Sequence, residues 1–152
     1  MNFKYTVCFI KQDNKILMLN REKEPIMGVW NGVGGKIEKN EFPEQAALRE
    51  VWEETTIKLG GFISQGVVTW LTSEGKLDGI HVFLGELDNL FTYDTPIKTR
   101  EGILDWKDID WILNPNNLGT PEKIPHYLPT LLAHKGKHLF TYNQDKMVHQ
   151  KL

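Results

Sequence analysis

The chain has 152 residues, of which 40% are hydrophobic and 25% charged, and its formal net charge at pH 7 is −2. This length and apolar content predict a single domain over residues 1–152 with one hydrophobic core. The near-neutral charge argues against a polynucleotide partner, because a polynucleotide groove normally carries a basic stripe. No apolar run approaches 18 residues and the N-terminus has no secretory pattern, so neither a membrane span nor export is predicted.

The periodicity of apolar residues predicts the secondary structure in chain order. Strands are expected at 5–11, 15–20, 66–72, 77–87, 102–106 and 138–142. Helices are expected at 43–55, 109–113 and 129–134, the first of them opened by Pro43. Loops are expected at 21–27 and 88–100. Mixed strands with two main helices predict an α/β sandwich.

One cysteine, Cys8, lies in the apolar run from Val7 to Ile10. A single thiol cannot form an internal disulfide, and its surroundings predict a buried core side chain. A reducing compartment, the cytoplasm, is therefore expected.

Three glycines, Gly32, Gly34 and Gly35, lie within four positions before the predicted helix at 43–55. Such density is typical of tight turns with positive φ or of a backbone that approaches another group closely. Exposed N–H groups, the Lys36 ammonium and a nearby helix start all favour an anion, so a phosphate is the preferred candidate. A plain hairpin loop is the alternative.

Glu50, Glu53 and Glu54 follow on the predicted helix. At 100° per residue their carboxylates share an arc of roughly 100°. Like charges at this spacing destabilise a helix, so a cation is expected beside them. Carboxylates with no interleaved Cys or His are typical of Mg²⁺ or Mn²⁺ sites and argue against zinc. Arg49 is expected to orient one glutamate, and an ordinary solvated acidic face is the alternative.

Together these residues form the pattern G-x5-E-x7-R-E-U-x-E-E-x-x-U, where U is aliphatic, which resembles the signature of the Nudix hydrolase family. The matching positions are Gly35, Glu41, Arg49, Glu50, Val51, Glu53, Glu54 and Ile57. One position differs, because Thr56 stands where the family usually has a glycine. A glycine there would cap the helix in a left-handed conformation, so Thr56 is expected either to strain the cap or to end the helix differently, and to leave the chemistry intact.

The resemblance implies the Nudix α/β/α sandwich with a mixed β-sheet, and it covers most of the chain. The stretch WNGVGGKIE at 30–38, the segment 81–83 and the tail at 128–132 and 137–140 resemble the MutT-type branch, the 8-oxo-dGTP diphosphatases. The tail resemblance is the weaker part.

The resemblance also implies a metal-dependent mechanism. The Gly35 carbonyl with Glu50, Glu53 and Glu54 would hold Mg²⁺, for which Mn²⁺ can substitute, against a diphosphate. Arg49 would support these glutamates.

The proton acceptor would come from the same glutamates or from a glutamate outside the helix. Glu101 is the candidate outside the helix, because it lies five residues before Trp106, as a glutamate does before a strand tryptophan in this branch. Its alternative is a solvated loop charge.

Asn31, Gly34, Lys36 and Arg21 are the candidate substrate contacts. Asn31 matches an asparagine that contacts the purine edge in related enzymes, and its side chain both donates and accepts. A turn residue beside Gly32 is the alternative.

The paired aspartates that read the oxidised purine in the animal enzymes have no clear counterpart in the segment TPEKIPH at 120–126. Trp30, Trp70 and Trp111 are expected in the core, with base stacking as the alternative.

Two function classes follow. One is a Mg²⁺-dependent hydrolase that converts a nucleoside triphosphate to a monophosphate and pyrophosphate, with an oxidised purine as the expected substrate. Within this class, ADP-ribose or another nucleoside diphosphate derivative is the competing substrate, because the signature specifies only the diphosphate. The other class is a non-catalytic nucleotide-binding module, which has no reason to keep all three glutamates. The expected partner is a small nucleotide, with neither polynucleotide nor membrane, and the protein is expected to be a monomer or a homodimer.

Overall fold

The computed structural model describes residues 3–24 and 26–152. Within them lie ten strands: β1 Tyr5–Gln12, β2 Lys15–Arg21, β3 Trp30–Asn31, β4 Val33–Lys36, β5 Ser64–Leu71, β6 Leu77–Glu86, β7 Ile97–Lys98, β8 Gly102–Asp108, β9 Gly136–Asn143 and β10 Lys146–Lys151. The same residues form the helices α1 Pro43–Thr55, α2 Ile109–Leu113 and α3 Ile124–Ala133.

The strands form one mixed sheet in the order β10-β9-β5-β6-β1-β2-β8-β7. β1 is parallel to β6 and β5 is parallel to β9, whereas the other pairs are antiparallel. β1 and β2 pair only at the end where a turn joins them. There Ile10 lies opposite Leu17, and Gln12 lies opposite Lys15. Beyond this point the two strands separate, and β4 pairs with β1 while β3 pairs with β2. This separation brings the glycine segment to the middle of the sheet.

Each face of the sheet carries a hydrophobic core, because successive side chains of a strand point to opposite faces. On β1, Cys8 and Ile10 pack towards α1 with Ala47 and Val51. Val7 and Phe9 belong to the cluster on the other face, which contains the buried residues of α2 and α3. The result is the predicted α/β/α sandwich with a mixed sheet, and Cys8 is fully buried as expected.

The helix at 43–55 has the predicted bounds, and residues 129–133 belong to a helix as expected. α3 begins earlier, at Ile124, so Pro129 lies inside the helix. An interior proline removes one backbone hydrogen bond. The buried α3 side chains Ile124, Tyr127, Leu128 and Leu131 pack against the sheet, and this packing offsets the loss.

Four strands were not predicted. β3 and β4 lie in the segment expected to be a glycine loop, β7 interrupts the expected loop at 88–100, and β10 extends the sheet past the expected last strand. These strands are short, glycine-rich or largely exposed, and such segments carry little hydrophobic alternation.

The C-terminus of α1 ends in a left-handed residue, Thr56, although a residue with a Cβ adopts this conformation less easily than glycine. Thr56 has φ 62° and ψ 12°, and its N–H donates to the Trp52 carbonyl at 2.8 Å. The Tyr93 hydroxyl donates to the Thr55 carbonyl at 2.7 Å, which satisfies another terminal carbonyl. Thr56 is exposed, so its cost is conformational and does not come from crowding.

We expect Thr56→Gly to raise the free energy of unfolding by about 1 kcal/mol or less, because glycine adopts positive φ without a Cβ penalty. The neighbouring Thr55→Val is the matched control with the opposite sign. Thr55 is buried, and its hydroxyl donates to the Val51 carbonyl and accepts from the Ile57 N–H, so its loss is expected to cost about 1–2 kcal/mol. Urea unfolding measures the free energy of unfolding of both variants and of the wild type. A Thr56→Gly variant less stable than the wild type would contradict the claim that Thr56 is strained.

Candidate functional site

The guanidinium of Arg49 lies at the centre of the candidate site. It binds the Glu41 carboxylate through two bonds, from Nε at 2.8 Å and from Nη2 at 2.9 Å. Its Nη1 donates to Glu50 at 3.0 Å and to Glu53 at 3.2 Å, and Nη2 also donates to the Lys36 carbonyl at 3.0 Å. A planar fork of five N–H donors can hold several acceptors in fixed directions. Arg49 therefore joins α1 to β4 and sets the orientation of two candidate ligands.

Glu41 is the member of this network whose role the sequence analysis did not identify. The Arg49 guanidinium lowers the pKa of the Glu41 carboxyl, and a further bond from the Glu38 N–H acts in the same direction. The Glu41 carboxylate in turn raises the pKa of Arg49. Glu41 precedes α1, so helix spacing gives no signal for its contact with Arg49.

The glycines of β4 are required by close packing and not by positive φ, which corrects the loop expectation. A Cβ on Gly35 would lie 2.5 Å from the Glu50 carboxylate, and one on Gly34 would overlap the Thr6 carbonyl of β1. A Cβ on Gly32 would lie 2.7 Å from the Cys8 carbonyl. The absence of these side chains lets β4 pair with β1 and lets Glu50 rest against the Gly35 main chain.

A turn before β8 brings Glu101 to the glutamates of α1. The Glu101 N–H donates to the Thr99 hydroxyl at 3.1 Å, and the Glu101 carbonyl accepts from the Glu22 N–H at 3.0 Å. The charge of the Glu101 carboxylate contributes to raised pKa values of Glu50 and Glu54, in both of which burial is the largest cause. Residues far apart in the sequence thus form one acidic site.

Glu54 is the carboxylate of this site that lacks a compensating contact. Its Oε2 atom is buried and has no hydrogen-bond partner among residues 3–24 and 26–152. After burial, the negative charges of Glu101 and Glu50 raise the pKa of Glu54 further, while the positive charge of Arg100 acts in the opposite direction. A buried anionic oxygen beside like charges is costly unless a cation joins it. The oxygen donors present, carboxylates and the Gly35 carbonyl, fit the preference of Mg²⁺ or Mn²⁺.

In the described part of the chain, no three His, Cys, Asp or Glu side chains converge on one point as a finished metal site. Arg49 pairs with two of the candidate ligands, Glu50 at 3.0 Å and Glu53 at 3.2 Å. The third, Glu54, is not paired with Arg49, and the negative charges of Glu101, Glu50 and Glu53 act on it.

The candidate substrate contacts occupy different environments. The Asn31 Oδ1 accepts a hydrogen bond from the Gly32 N–H at 2.8 Å, so part of this side chain serves the local turn. Lys36 is exposed, and Gly34 lies half-buried in β4. Arg21 is already engaged, because its guanidinium forms an ion pair with Glu101 at 3.2 Å. The four residues thus do not form one preformed phosphate cradle.

Each of the three tryptophans has a lysine ammonium over its ring, and that of Trp111 is Lys107, 5.6 Å from the ring centroid. The Lys107 ammonium lies 4.2 Å from the centroid of Trp30, and the Lys123 ammonium lies 5.2 Å from that of Trp70. Trp30 and Trp70 also pack against the core on the α3 face, as expected, whereas Trp111 is 38% exposed. Lys123 lies in the segment 120–126, at a position that sequence analysis could not interpret.

A model of the NUDIX domain family matches residues 2–127, which is most of the chain. The chain belongs to the Nudix family. This assignment agrees with the signature on α1 and with the sandwich around it. The protein is accordingly a Nudix hydrolase, and hydrolases of this family generally use a divalent metal such as Mg²⁺ or Mn²⁺ on small nucleotide substrates.

Relatives of this Nudix hydrolase differ in their described substrates. An oxidized purine nucleoside triphosphate hydrolase from Danio rerio is 31% identical over 109 residues, which are 70% of this chain and 67% of that protein. An ADP-ribose pyrophosphatase from Methanocaldococcus jannaschii is 44% identical over 46 residues, which are 30% of this chain and 27% of that protein. A MutT protein from Bacillus halodurans has a similar fold, with a TM-score of 0.67 and 24% identity over 96% of this chain and 95% of that one.

None of the helices in the described ranges is both long and apolar enough to span a lipid bilayer.

We expect Glu41→Gln to lower the free energy of unfolding by about 1–2 kcal/mol near pH 7, because a charge-assisted bidentate contact with Arg49 is lost. The pKa of Glu41 is lowered in the folded state, so this contribution is present above the unfolded pKa and disappears as the pH falls through the folded pKa. Urea unfolding between pH 7 and pH 3 measures the difference between variant and wild type. A difference that grows on acidification would contradict the assignment. Glu44→Gln, an exposed change in the first turn of α1, three residues after Glu41, is the control.

Proposed function

We propose that this Nudix hydrolase cleaves a nucleoside triphosphate to a nucleoside monophosphate and pyrophosphate in a Mg²⁺-dependent reaction. The observation that carries the proposal is the buried Glu54 Oε2 atom, which lacks a partner among the described residues and lies near Glu50 and Glu101. A binding module without catalysis would gain nothing from so costly an arrangement.

Each residue has a proposed role. Gly35 through its carbonyl, with Glu50, Glu53 and Glu54, holds the cation, and Mn²⁺ can replace Mg²⁺. When bound, the metal supplies charge neutralisation at the diphosphate and lowers the pKa of a bound water. Arg49 fixes the side chains of Glu50 and Glu53 through ion pairs at 3.0 and 3.2 Å.

A carboxylate must then accept the proton of the attacking water. Glu53 and Glu101 are the two candidates, since Glu53 is 42% exposed in its side chain and Glu101 is only partly buried. The charges of both carboxylates act on Glu50 and Glu54, so either is a candidate acceptor for the proton of a water near those two groups.

An oxidised purine is the proposed base, supported by the likeness to the hydrolase from Danio rerio and by Asn31 beside the glycine strand. ADP-ribose is the second candidate, supported by the short match to the pyrophosphatase from Methanocaldococcus jannaschii. Gly34 and Lys36 are proposed to contact the phosphates, since both lie on β4 next to α1. We further propose a single domain over residues 1–152 that acts in the cytoplasm as a monomer or homodimer.

The first test is dependence on a divalent cation. Glu53→Gln and Glu54→Gln are each expected to lower kcat by at least about 10², because each removes a charge that holds the cation. Pyrophosphate release in the presence of Mg²⁺, and in excess EDTA, measures this. Glu44→Gln, on the exposed first turn of α1, is the matched control and should leave kcat unchanged.

Full turnover in excess EDTA would exclude the proposed mechanism. A panel of normal and oxidised nucleoside triphosphates, with ADP-ribose included, then ranks the substrate classes by kcat/KM. Cleavage of ADP-ribose alone would replace the triphosphate as the substrate and leave the metal chemistry in place.

The role of Asn31 is tested by two substitutions. Asn31→Ala removes both the donor and the acceptor, whereas Asn31→Asp keeps an acceptor for the Gly32 N–H and removes the amide donors. If Asn31 contacts the base, both variants should lose about 10- to 10²-fold in kcat/KM on the preferred nucleotide. The ratio of kcat/KM between the preferred nucleotide and the others should also fall. Kinetics on three nucleotides measure this. An aspartate variant with wild-type kinetics, beside an alanine variant that is slow on every nucleotide, would show that Asn31 only shapes the turn.

A further inference from the structure

The Arg21 guanidinium connects the end of β2 and the residues that follow it to the turn that carries Glu101. Its Nη1 forms an ion pair with the Glu101 carboxylate at 3.2 Å. Its Nε and Nη2 donate to the carbonyls of Lys23 and Glu24, each at 3.3 Å. Arg21 is the last residue of β2, so one side chain fixes both the turn that carries Glu101 and the segment that leaves β2.

The main chain strengthens this connection. Arg21 pairs with Gly102 in the β2–β8 ladder, and the Glu22 N–H donates to the Glu101 carbonyl. A Cβ on Gly102 would overlap the Asn20 carbonyl, so a larger residue would push the Glu101 turn away from β2. The position of Glu101 therefore depends on β2 through both backbone and side chain.

The Glu101 carboxylate needs such an anchor because its neighbours repel it. Glu50 and Glu54 lie near enough for the three negative charges to act on one another. Arg49 is bonded to Glu41, Glu50 and Glu53 and contacts neither Glu101 nor Glu54 in the described structure. Without Arg21, repulsion would drive Glu101 towards solvent.

We propose that Arg21 is a positioning residue that acts through Glu101, and that it does not contact the substrate phosphates. Its guanidinium holds the Glu101 carboxylate beside α1 and ties that position to the segment at 22–24. This inference rests on the role proposed above for Glu101.

A double-mutant cycle tests the proposal, because two residues that act through one contact give non-additive effects. Arg21→Ala should lower kcat by about 10-fold or more, with KM for the nucleotide changed by less than about threefold. In the Glu101→Gln background the same substitution should change kcat by less than about twofold. Arg21→Lys should recover part of kcat, since an ammonium keeps the charge but lacks the fork geometry.

Hydrogen exchange without metal or nucleotide gives a second readout. Arg21→Ala and Glu101→Gln should each speed exchange of the Glu22 amide by about 10-fold, and the double variant should be no faster than the faster single one. Lys98→Ala is the control, because it removes an exposed ion pair between β7 and Glu22. It should change neither kcat nor the exchange rate of the Glu22 amide appreciably.

A phosphate contact would give the opposite pattern. Arg21→Ala would then raise KM by about 10-fold at constant kcat. In the double variant, the loss in kcat/KM would equal the product of the losses in the two single variants. That result, or additive effects on exchange, would overturn the proposal. If the wild-type protein cleaves no nucleotide, the proposed function fails, and the exchange cycle alone still decides whether Arg21 and Glu101 are coupled.

Discussion

The candidate site depends on one guanidinium, that of Arg49. It holds Glu41 through two bonds, reaches Glu50 and Glu53 on its own helix, and donates to the Lys36 carbonyl of β4. Three carboxylates at helix spacing would otherwise repel one another and loosen both α1 and its contact with the sheet. Arg49 thus makes an acidic helix face compatible with a folded protein, whereas the buried Glu54 Oε2 atom has no hydrogen-bond partner among the described residues.

The separation of β1 from β2 determines where this face points. β4 fills part of the gap by pairing with β1, and it can do so because Gly34 and Gly35 have no side chains to collide with the Thr6 carbonyl or the Glu50 carboxylate. A glycine is usually required because the backbone adopts a positive φ. At Gly34 and Gly35 it is required because neighbouring atoms lie too close for a Cβ. The same closeness places the Gly35 main chain against the helix, which is the geometry that the proposed metal site requires.

The site contains two arginines with parallel tasks. Arg49 orients glutamates of α1, and Arg21 holds Glu101, which lies in the turn before β8. Glu101 and Glu54 are 47 positions apart in the chain, and only β2 and β8 bring them together. The protein therefore assembles its acidic site from rigid elements, each supported by a guanidinium, and this support reduces the cost of collecting like charges.

The spacing of Glu50, Glu53 and Glu54, the glycines and the start and end of α1 were readable in the sequence, because they reflect local helix geometry and a family signature. At Thr56 the sequence left two outcomes, a strained left-handed cap or a different helix end, and the structure has the left-handed cap. The start of α3, the strands β3 and β4, the contact of Glu41 with Arg49 and the pairing of Arg21 with Glu101 were not readable. Each depends on packing or charge contacts between segments distant in the sequence, and only the tertiary structure brings those segments together.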